Sequence, residues 1–137
     1  MTRPPAAGPR RRCARRGRGP DRVAAARRLA DRTGAVVLLK GSLTAVASPS
    51  PGPDAVGPVQ LAAAGSSRLA TAGTGDVLSG IVGAFLARGA AASTAAALAA
   101  HVHGRAAGRG PAEGLVAEDL PPLVAGWLSA HLGDGDG

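Results

Sequence analysis

The 137-residue chain has the length of one domain, and its formal net charge of +7 comes from 16 basic and nine acidic residues. No stretch approaches about 18 consecutive apolar residues, so no membrane-spanning helix is expected. A single cysteine, Cys13, excludes an internal disulfide and a cysteine-based metal cluster, and a reducing, cytoplasmic setting is expected. Phe85 and Trp127 are the only aromatic residues of the Phe, Trp and Tyr class, which argues against a stacking surface for single-stranded nucleic acid.

The positive charge is concentrated at the N-terminus. Residues 1–20 hold seven arginines and no acidic residue, whereas basic and acidic residues balance over 21–137. This Pro-, Gly- and Arg-rich segment cannot bury apolar area and is predicted to be disordered, as is the tail 133–137. A basic arm for nucleic acid or acidic lipid is one alternative, and a targeting peptide is another, disfavoured because an apolar h-region is absent. We favour sequence outside the fold, such as a misplaced start or a truncated reading frame.

The predicted domain, residues 21–132, opens with a helix and three strands. Asp21 and Gly34 are placed to begin and end the helix. The apolar run "AVVLLKG" predicts a strand buried on both faces of a sheet. "TAVAS" predicts a second strand after a tight turn, "PSPGPDAVGP" a loop, and "VQLAAA" a weak third strand.

Three helices are predicted after the strands. The first, "DVLSGIVGAFLARG", has apolar residues at the spacing of one helix face: Leu78, Ile81, Val82 and Phe85. "STAAALAAHVHGRAAG" predicts a second helix capped by Ser93, and "AEDLPPLVAGWLSAHL" a third with Pro121 in its first turn. The order α-β-β-β-α-α-α indicates an α/β layered fold, and so small a sheet is expected to be part of a larger one.

The segment "TAGTGD", residues 71–76, joins a glycine-rich turn to the start of a helix. Main-chain N–H groups at a helix N-terminus, approached through glycines, form a site suited to phosphate. Gly73 and Gly75 supply the turn, and Thr71 and Thr74 supply hydroxyl groups. Asp76 has two interpretations: it caps the helix, or it is a base that accepts the proton of a substrate hydroxyl during phosphoryl transfer. The P-loop and GxGxxG motifs are both absent.

Three segments carry a specific resemblance. "LLKGSLTAVASP", "GSSRLATAGTGDVLSGIVGAFLARG" and "AAHVHGRAAG…VAEDL" resemble, in order and spacing, the C-terminal half of the ADP-dependent NAD(P)H-hydrate dehydratases, which belong to the ribokinase-like superfamily and are often called carbohydrate kinases. The resemblance covers about residues 21–130. It implies the C-terminal half of a ribokinase-like three-layer αβα sandwich, that is, part of an α/β fold.

The resemblance also implies an activity. These hydro-lyases repair the hydrated cofactors NADHX and NADPHX, using ADP or, in eukaryotes, ATP, with Mg²⁺. The hydroxyl is phosphorylated and the phosphate is then eliminated, which restores NADH or NADPH. The implied nucleotide-binding residues are Lys40, Gly41, Ser42, Leu43, Thr44, Gly73, Thr74 and Gly75. Asp76 matches the aspartate that contacts the hydrated ring and acts as the base; no residue of this chain is predicted to ligate a metal.

The sequence departs from the family in two respects. The half of the family domain that carries further strands and most contacts to the nicotinamide has no counterpart, and "VQLAAA" lacks the usual asparagine. We therefore expect little activity from the chain alone, and either a homo-oligomer or a missing half supplied in trans. The alternatives are a small-molecule kinase of the same superfamily, a non-catalytic nucleotide-binding remnant and a basic nucleic-acid binder. His101 and His103, two apart on a helix, cannot share a metal, and His103 is expected to serve packing.

Overall fold

The structure is a computed structural model that describes residues 21–132, so the predictions for residues 1–20 and 133–137 lie outside it. Within the described part, the helices and strands follow the predicted order, with two short 3-10 turns among them. The elements are α1 Arg22–Thr33, β1 Val37–Leu39, β2 Thr44–Ala47, β3 Val59–Ala62, a 3-10 turn Ser67–Ala70, α2 Thr74–Ala87, α3 Ala92–Ala107, a second 3-10 turn Ala117–Asp119, and α4 Leu120–Leu132. No helix in this part is both long enough and apolar enough to cross a membrane.

The ends of α1 confirm the capping prediction. The Asp21 carboxylate accepts hydrogen bonds from the main-chain N–H groups of Val23 and Ala24, at 3.1 and 3.3 Å. Gly34 ends the helix in the left-handed region with φ of 66°, a conformation that costs other residues free energy.

The three described strands form an antiparallel sheet in the order β1-β2-β3, with Val46 of β2 opposite Leu38 on one side and Gln60 on the other. The prediction that "AVVLLKG" is buried on both faces is wrong. β1 is an edge of the described sheet and its three residues are half-buried, whereas all four residues of β2 are buried. Burial follows position in the sheet, because β2 alone has a strand on each side, and the hydrophobicity of the run does not reveal that position.

Helices cover both faces of the sheet. Ala45 and Ala47 pack with Ala26 and Ala30 of α1. Because side chains alternate along a strand, Val46 faces the other side, where α3 lies against β2 and β3. α2 and α4 pack on α3 in turn. The arrangement agrees with the predicted α/β fold with helix, sheet and helix layers.

Small side chains dominate the core: among residues 21–132, ten of the seventeen buried apolar residues are alanine. They allow α3 to approach its neighbours closely. At Gly104, an added Cβ would lie 2.3 Å from the carbonyl oxygen of Ala64, just beyond the end of β3. α3 therefore touches the backbone of the segment that leads into the glycine-rich turn.

Three helix starts differ from the predictions. α2 begins at Thr74, two residues before Asp76. α3 begins at Ala92 without a side-chain cap, so the prediction that Ser93 caps it is wrong, because Ser93 lies inside the first turn. α4 begins at Leu120 after a 3-10 turn and keeps Pro121 in its first turn, where proline forfeits no intrahelical hydrogen bond.

Candidate functional site

A cleft of about 510 Å³ lies between the turn after β1 and the segment that leads into α2; we call it the Lys40 cleft. Residues far apart in the sequence meet there because β1 ends beside the loop that follows β3. The cleft is lined by Lys40, Gly41, Ser42, Ser66, Ser67, Leu69, Ala70, Thr71, Thr74 and Gly75. The structure thus brings together the "KGS" and "TAGTG" segments that the sequence singled out.

The Lys40 ammonium group fastens the two segments together. Its Nζ donates to the carbonyl oxygen of Leu69 at 2.8 Å and to the hydroxyl oxygen of Thr74 at 2.6 Å. Burial lowers the pKa of Lys40 from its ordinary value of 10.5. Two of the three ammonium hydrogens are used in these bonds, and the third is available to an anion in the cleft.

The turn before α2 is shaped for close approach to its main chain. Gly73 has φ of 83°, a left-handed conformation that favours glycine. A Cβ added at Gly75 would meet no atom of another described segment within 4 Å, and Gly75 lines the cleft. The first N–H groups of α2 have no partner within the helix, and the helix dipole favours negative charge beside them. This end of the cleft is suited to a phosphate group.

The hydroxyl of Thr74 belongs to the turn itself. Thr74 is buried, and its Oγ1 lies 2.8 Å from the carbonyl oxygen of Leu69 and 2.9 Å from that of Thr71. The Thr71 hydroxyl lies 3.2 Å from the carbonyl oxygen of Leu115. Contacts from this turn to a ligand therefore come from main-chain N–H groups rather than from the threonine hydroxyls.

Asp76 is the third residue of α2, and its side chain is exposed. The residue that flanks the helix start is Gly73, so Asp76 is not the N-cap. A carboxylate in the first turn is still favoured by the helix dipole. Asp76 does not line the Lys40 cleft, but it directly follows Gly75, which does. Asp76 is therefore next to the cleft in sequence, and its side chain is not part of the cleft lining.

The predicted segment Lys40 to Thr44 divides into two parts. Its first three residues line the cleft. Leu43 is exposed outside the lining, and Thr44 is buried at the start of β2. The Thr44 hydroxyl accepts from the N–H of Gly41 at 3.3 Å and so shapes the turn.

His103 of α3 lies behind the Lys40 cleft. Its ring is buried, and its Nε2 has no hydrogen-bond partner among the described residues. Burial lowers the pKa of His103 and the nearby Lys40 charge lowers it further, while a main-chain contact at Thr74 opposes both effects. The ring is therefore neutral at neutral pH and fills space under the Lys40 contact, as packing requires.

Gly65, which no motif of the sequence singles out, sets the distance between the two walls. A Cβ at Gly65 would lie 2.6 Å from the carbonyl oxygen of Gly41 and 2.7 Å from that of Ser42. Only glycine permits this contact between the loop and the "KGS" turn. Arg22 of α1 also donates to the carbonyl oxygen of Lys40 from the other side. The glycine in "AAAGSS" was visible in the sequence, but no local pattern shows which backbone it touches.

Comparison with known proteins identifies the family. Residues 11–126 match the family model Carb_kinase, described as NAD(P)H-hydrate dehydratase. The chain is 42% identical over 117 residues to the ADP-dependent (S)-NAD(P)H-hydrate dehydratase of Neisseria meningitidis, and this alignment covers 82% of this chain and 37% of that protein. It is 55% identical over 89 residues to the bifunctional NAD(P)H-hydrate repair enzyme Nnr of Mycobacterium leprae, covering 65% of this chain and 18% of that one.

The Escherichia coli repair enzyme of the same name is 41% identical over 104 residues, covering 73% of this chain and 19% of its own. The chain therefore spans well under half the length of these relatives. The match includes both walls of the Lys40 cleft and the start of α2. Because the family model matches most of the chain and the three segments resemble the same family, the chain belongs to the NAD(P)H-hydrate dehydratase family.

Proposed function

We propose that this chain provides the nucleotide site and the general base of an ADP-dependent NAD(P)H-hydrate dehydratase, which restores NADH or NADPH from their hydrates. The observation that carries the proposal is the Lys40 contact to Leu69 and Thr74, which holds a cation beside a glycine-rich helix N-terminus in an open cleft. The names of the relatives favour a dehydratase over a small-molecule kinase of the same superfamily.

ADP would bind with its terminal phosphate between Lys40 and the first N–H groups of α2. The free hydrogen of the ammonium group and the main chain at Thr74 and Gly75 supply donors without the threonine hydroxyls. The absence of a side chain at Gly75 lets a phosphate oxygen approach the backbone. Gly41 and Ser42 bound the opposite wall. ATP, the alternative co-substrate, would place its phosphates in the same way.

Asp76 would act beside the cleft. Its carboxylate takes the proton of the substrate hydroxyl as that oxygen forms a bond to the terminal phosphorus of ADP. The bond between that phosphorus and the bridging oxygen breaks, and AMP leaves. The phosphorylated ring then loses phosphate by cleavage of its C–O bond, while a proton leaves the neighbouring ring carbon and the double bond of the reduced nicotinamide forms. Water is thus removed at the expense of one phosphoanhydride bond.

Magnesium fits this site as a partner of the nucleotide. Among residues 21–132 no three His, Cys, Asp or Glu side chains stand close enough to form a metal cluster. Mg²⁺ is commonly held by substrate phosphates and waters with only one or two carboxylates, so the nucleotide phosphates and water would hold it here, and Asp76 would remain free to act as the base. When bound, the ion would neutralise charge on the phosphates and so reduce their repulsion of Asp76.

The reaction is proposed to take place in the cytoplasm, in keeping with a single cysteine in the sequence. A homo-oligomer, or further sequence supplied in trans, would complete the substrate side. The outer edges of β1 and β3 have no partner strand within the described sheet, and Leu61 of β3 is 53% exposed. Light scattering during size-exclusion chromatography tests this arrangement: a monomer at all concentrations contradicts the homo-oligomer.

The test is conversion of NADHX followed by the absorbance of the reduced nicotinamide, with ADP or ATP and Mg²⁺, and with ADP binding measured by calorimetry. Asp76→Asn should abolish conversion while retaining ADP binding, because it removes the base but keeps the shape of the side chain. Asp54→Asn, an exposed carboxylate in the loop before β3, is the matched control and should convert NADHX like the wild type. Because the chain alone is expected to have little activity, the base is judged by conversion above the background without protein: equal conversion above that background by Asp76→Asn and wild type contradicts the assigned base. Absence of ADP and ATP binding contradicts the nucleotide site.

A further inference from the structure

A second and larger cleft, of about 670 Å³, lies on the other side of the Ser66–Ser67 segment. Its walls are the end of α3, the first 3-10 turn and the C-terminal part of α4. We call it the arginine cleft, after the side chains that set its character: Arg68, Arg105, Arg109, Trp127 and His131. Arg68 and Arg105 lie within the segments that resemble the family, but neither that resemblance nor the proposed function assigns a role to any of these five residues.

The charge of the arginine cleft is positive. Of the described residues, three arginines line it, and no aspartate or glutamate does. Arg68 donates through Nη1 to the carbonyl oxygens of Gly108 and Gly110, both at 3.2 Å. Arg109 donates through Nη1 to the carbonyl oxygen of Gly126 at 3.3 Å. These contacts use one nitrogen of each guanidinium and fix its position, which reduces the entropy lost when the remaining N–H groups bind an anion.

The cleft also has an aromatic wall. The rings of Trp127 and His131 stack with centroids 4.0 Å apart and planes inclined by 12°. Both rings line the cleft. Planar rings of this kind bind nucleic-acid bases by stacking, and guanidinium groups bind phosphate oxygens with directed hydrogen bonds. A ligand that carries both a base and a phosphate uses both features.

The arginine cleft adjoins the Lys40 cleft, with the Ser66–Ser67 segment between them. Ser66 and Ser67 line both. The Ser66 hydroxyl is buried and has no hydrogen-bond partner among the described residues, so a donor or acceptor from a ligand at this junction would satisfy it. Ligands bound in the two clefts would therefore lie on either side of this segment.

We propose that the arginine cleft binds the adenosine phosphate portion of a nucleotide, at a site separate from the phosphate position beside Lys40. The proposal rests on the proposed function for its ligands, since both reactants carry that portion: the dinucleotide substrate and the ADP co-substrate. Arg105 and Arg109 contact the phosphate, and Trp127 with His131 stacks with the base.

Trp127 makes the test direct, because it is the only tryptophan in the sequence and lines this cleft. The full chain is titrated with NADP⁺, NAD⁺ and ADP while tryptophan fluorescence is recorded. Arg105→Gln removes one cleft charge from an exposed side chain, so the fold is retained. Arg88→Gln makes the same charge change at an exposed position that lines neither cleft, and serves as the matched control.

The expected result is quenching on titration, with an affinity about ten-fold weaker in Arg105→Gln and unchanged within about two-fold in Arg88→Gln, as for a charge-assisted phosphate contact. If Arg105→Gln loses affinity only for NADP⁺ and NAD⁺, the dinucleotide is the source of the bound group. If it loses affinity for ADP, the source is the co-substrate. Absence of a fluorescence response to all three probes, or equal losses in the two variants, overturns the proposal.

The outcome can be separated from that of the proposed function. The arginine cleft would be rejected, and the proposed dehydratase function kept, by three results together. The chain would convert NADHX, its ADP affinity would depend on Lys40 but not on Arg105, and the fluorescence of Trp127 would not change. A response that depends on Arg105, in a chain that neither binds ADP at Lys40 nor converts NADHX, would do the reverse.

Discussion

Gly65→Ala is expected to separate the two walls of the Lys40 cleft. The added Cβ would stand 2.6 Å and 2.7 Å from the carbonyl oxygens of Gly41 and Ser42, closer than the 3.0 Å that real Cβ contacts respect. Both neighbours are backbone atoms and cannot rotate away. The φ of Gly65 is not positive, so alanine is compatible with the local backbone and the cost comes from the collision alone.

The magnitude follows from this geometry. The turn after β1 must shift by roughly 0.5 Å, and overpacking of this kind costs about 1–3 kcal/mol of the free energy of unfolding. For a domain of this size that lowers the melting temperature by about 4–12 °C. The shift also stretches the Lys40 bonds to Leu69 and Thr74, so ADP affinity should fall along with stability.

The assay is thermal unfolding followed by circular dichroism, paired with calorimetric ADP titration. Gly83→Ala is the control. Gly83 lies at an exposed position in the middle of α2, and its added Cβ would meet no atom of another described segment within 4 Å. That variant should gain about 0.5–1 kcal/mol from helix propensity. A Gly65→Ala protein that melts at or above the wild-type temperature and binds ADP equally well would refute the close approach of the two walls.

Two further predictions concern the residues around this contact. Lys40→Met should weaken ADP binding by about ten-fold or more, since the ammonium both contacts the anion and ties Leu69 to Thr74; unchanged calorimetric affinity, measured against Arg88→Gln, would contradict this. Burial lowers the pKa of His103 below its ordinary 6.5, with the Lys40 charge adding to the effect, so the folded state binds fewer protons than the unfolded one. The stability present above pH 6.5 should therefore be lost as the pH falls toward the pKa of the folded state, and the loss should be less steep in His103→Gln. Melting temperatures that fall in parallel with pH in the two proteins would be inconsistent with a buried neutral ring.

Local signals in the sequence were enough for most elements of the fold. The Asp21 cap and the Gly34 terminator are properties of single residues, and the structure confirms both. The apolar face of α2 was also correct, with Leu78 buried and Phe85 half-buried. The order of elements and the α/β class followed from such signals.

Sheet position could not be predicted in this way. "AVVLLKG" is more apolar than "TAVA", yet the second strand is central and the first is an edge of the described sheet. Which strand lies in the middle depends on pairing between segments, and no residue within a strand encodes it. The wrong burial of β1 has this cause.

The candidate site, like the fold, could be predicted from the sequence only in part. "KGS" and "TAGTG" were found from their residue types and from a family resemblance, and the structure brings them into one cleft. Gly65 and the carbonyl oxygen of Leu69 escaped notice because their roles are contacts between backbone atoms distant in sequence. The roles assigned to Asp76 and to the nucleotide-binding residues stay predictions until the variants are measured.

The alanine-rich core has a consequence for how this domain can change during evolution. A core of leucines is vulnerable to truncation, because each shortened side chain leaves a cavity. Here most buried apolar positions have no methylene group to lose, so enlargement is the main hazard. A single-nucleotide change at an alanine codon gives valine, threonine, serine, proline, aspartate, glutamate or glycine, and apart from glycine each is bulkier or polar. Selection should therefore remove variants that disturb the close packing around α3 more strictly than variants that only lower the hydrophobicity of the core. Accepted substitutions in this lineage should concentrate on the exposed faces of its helices.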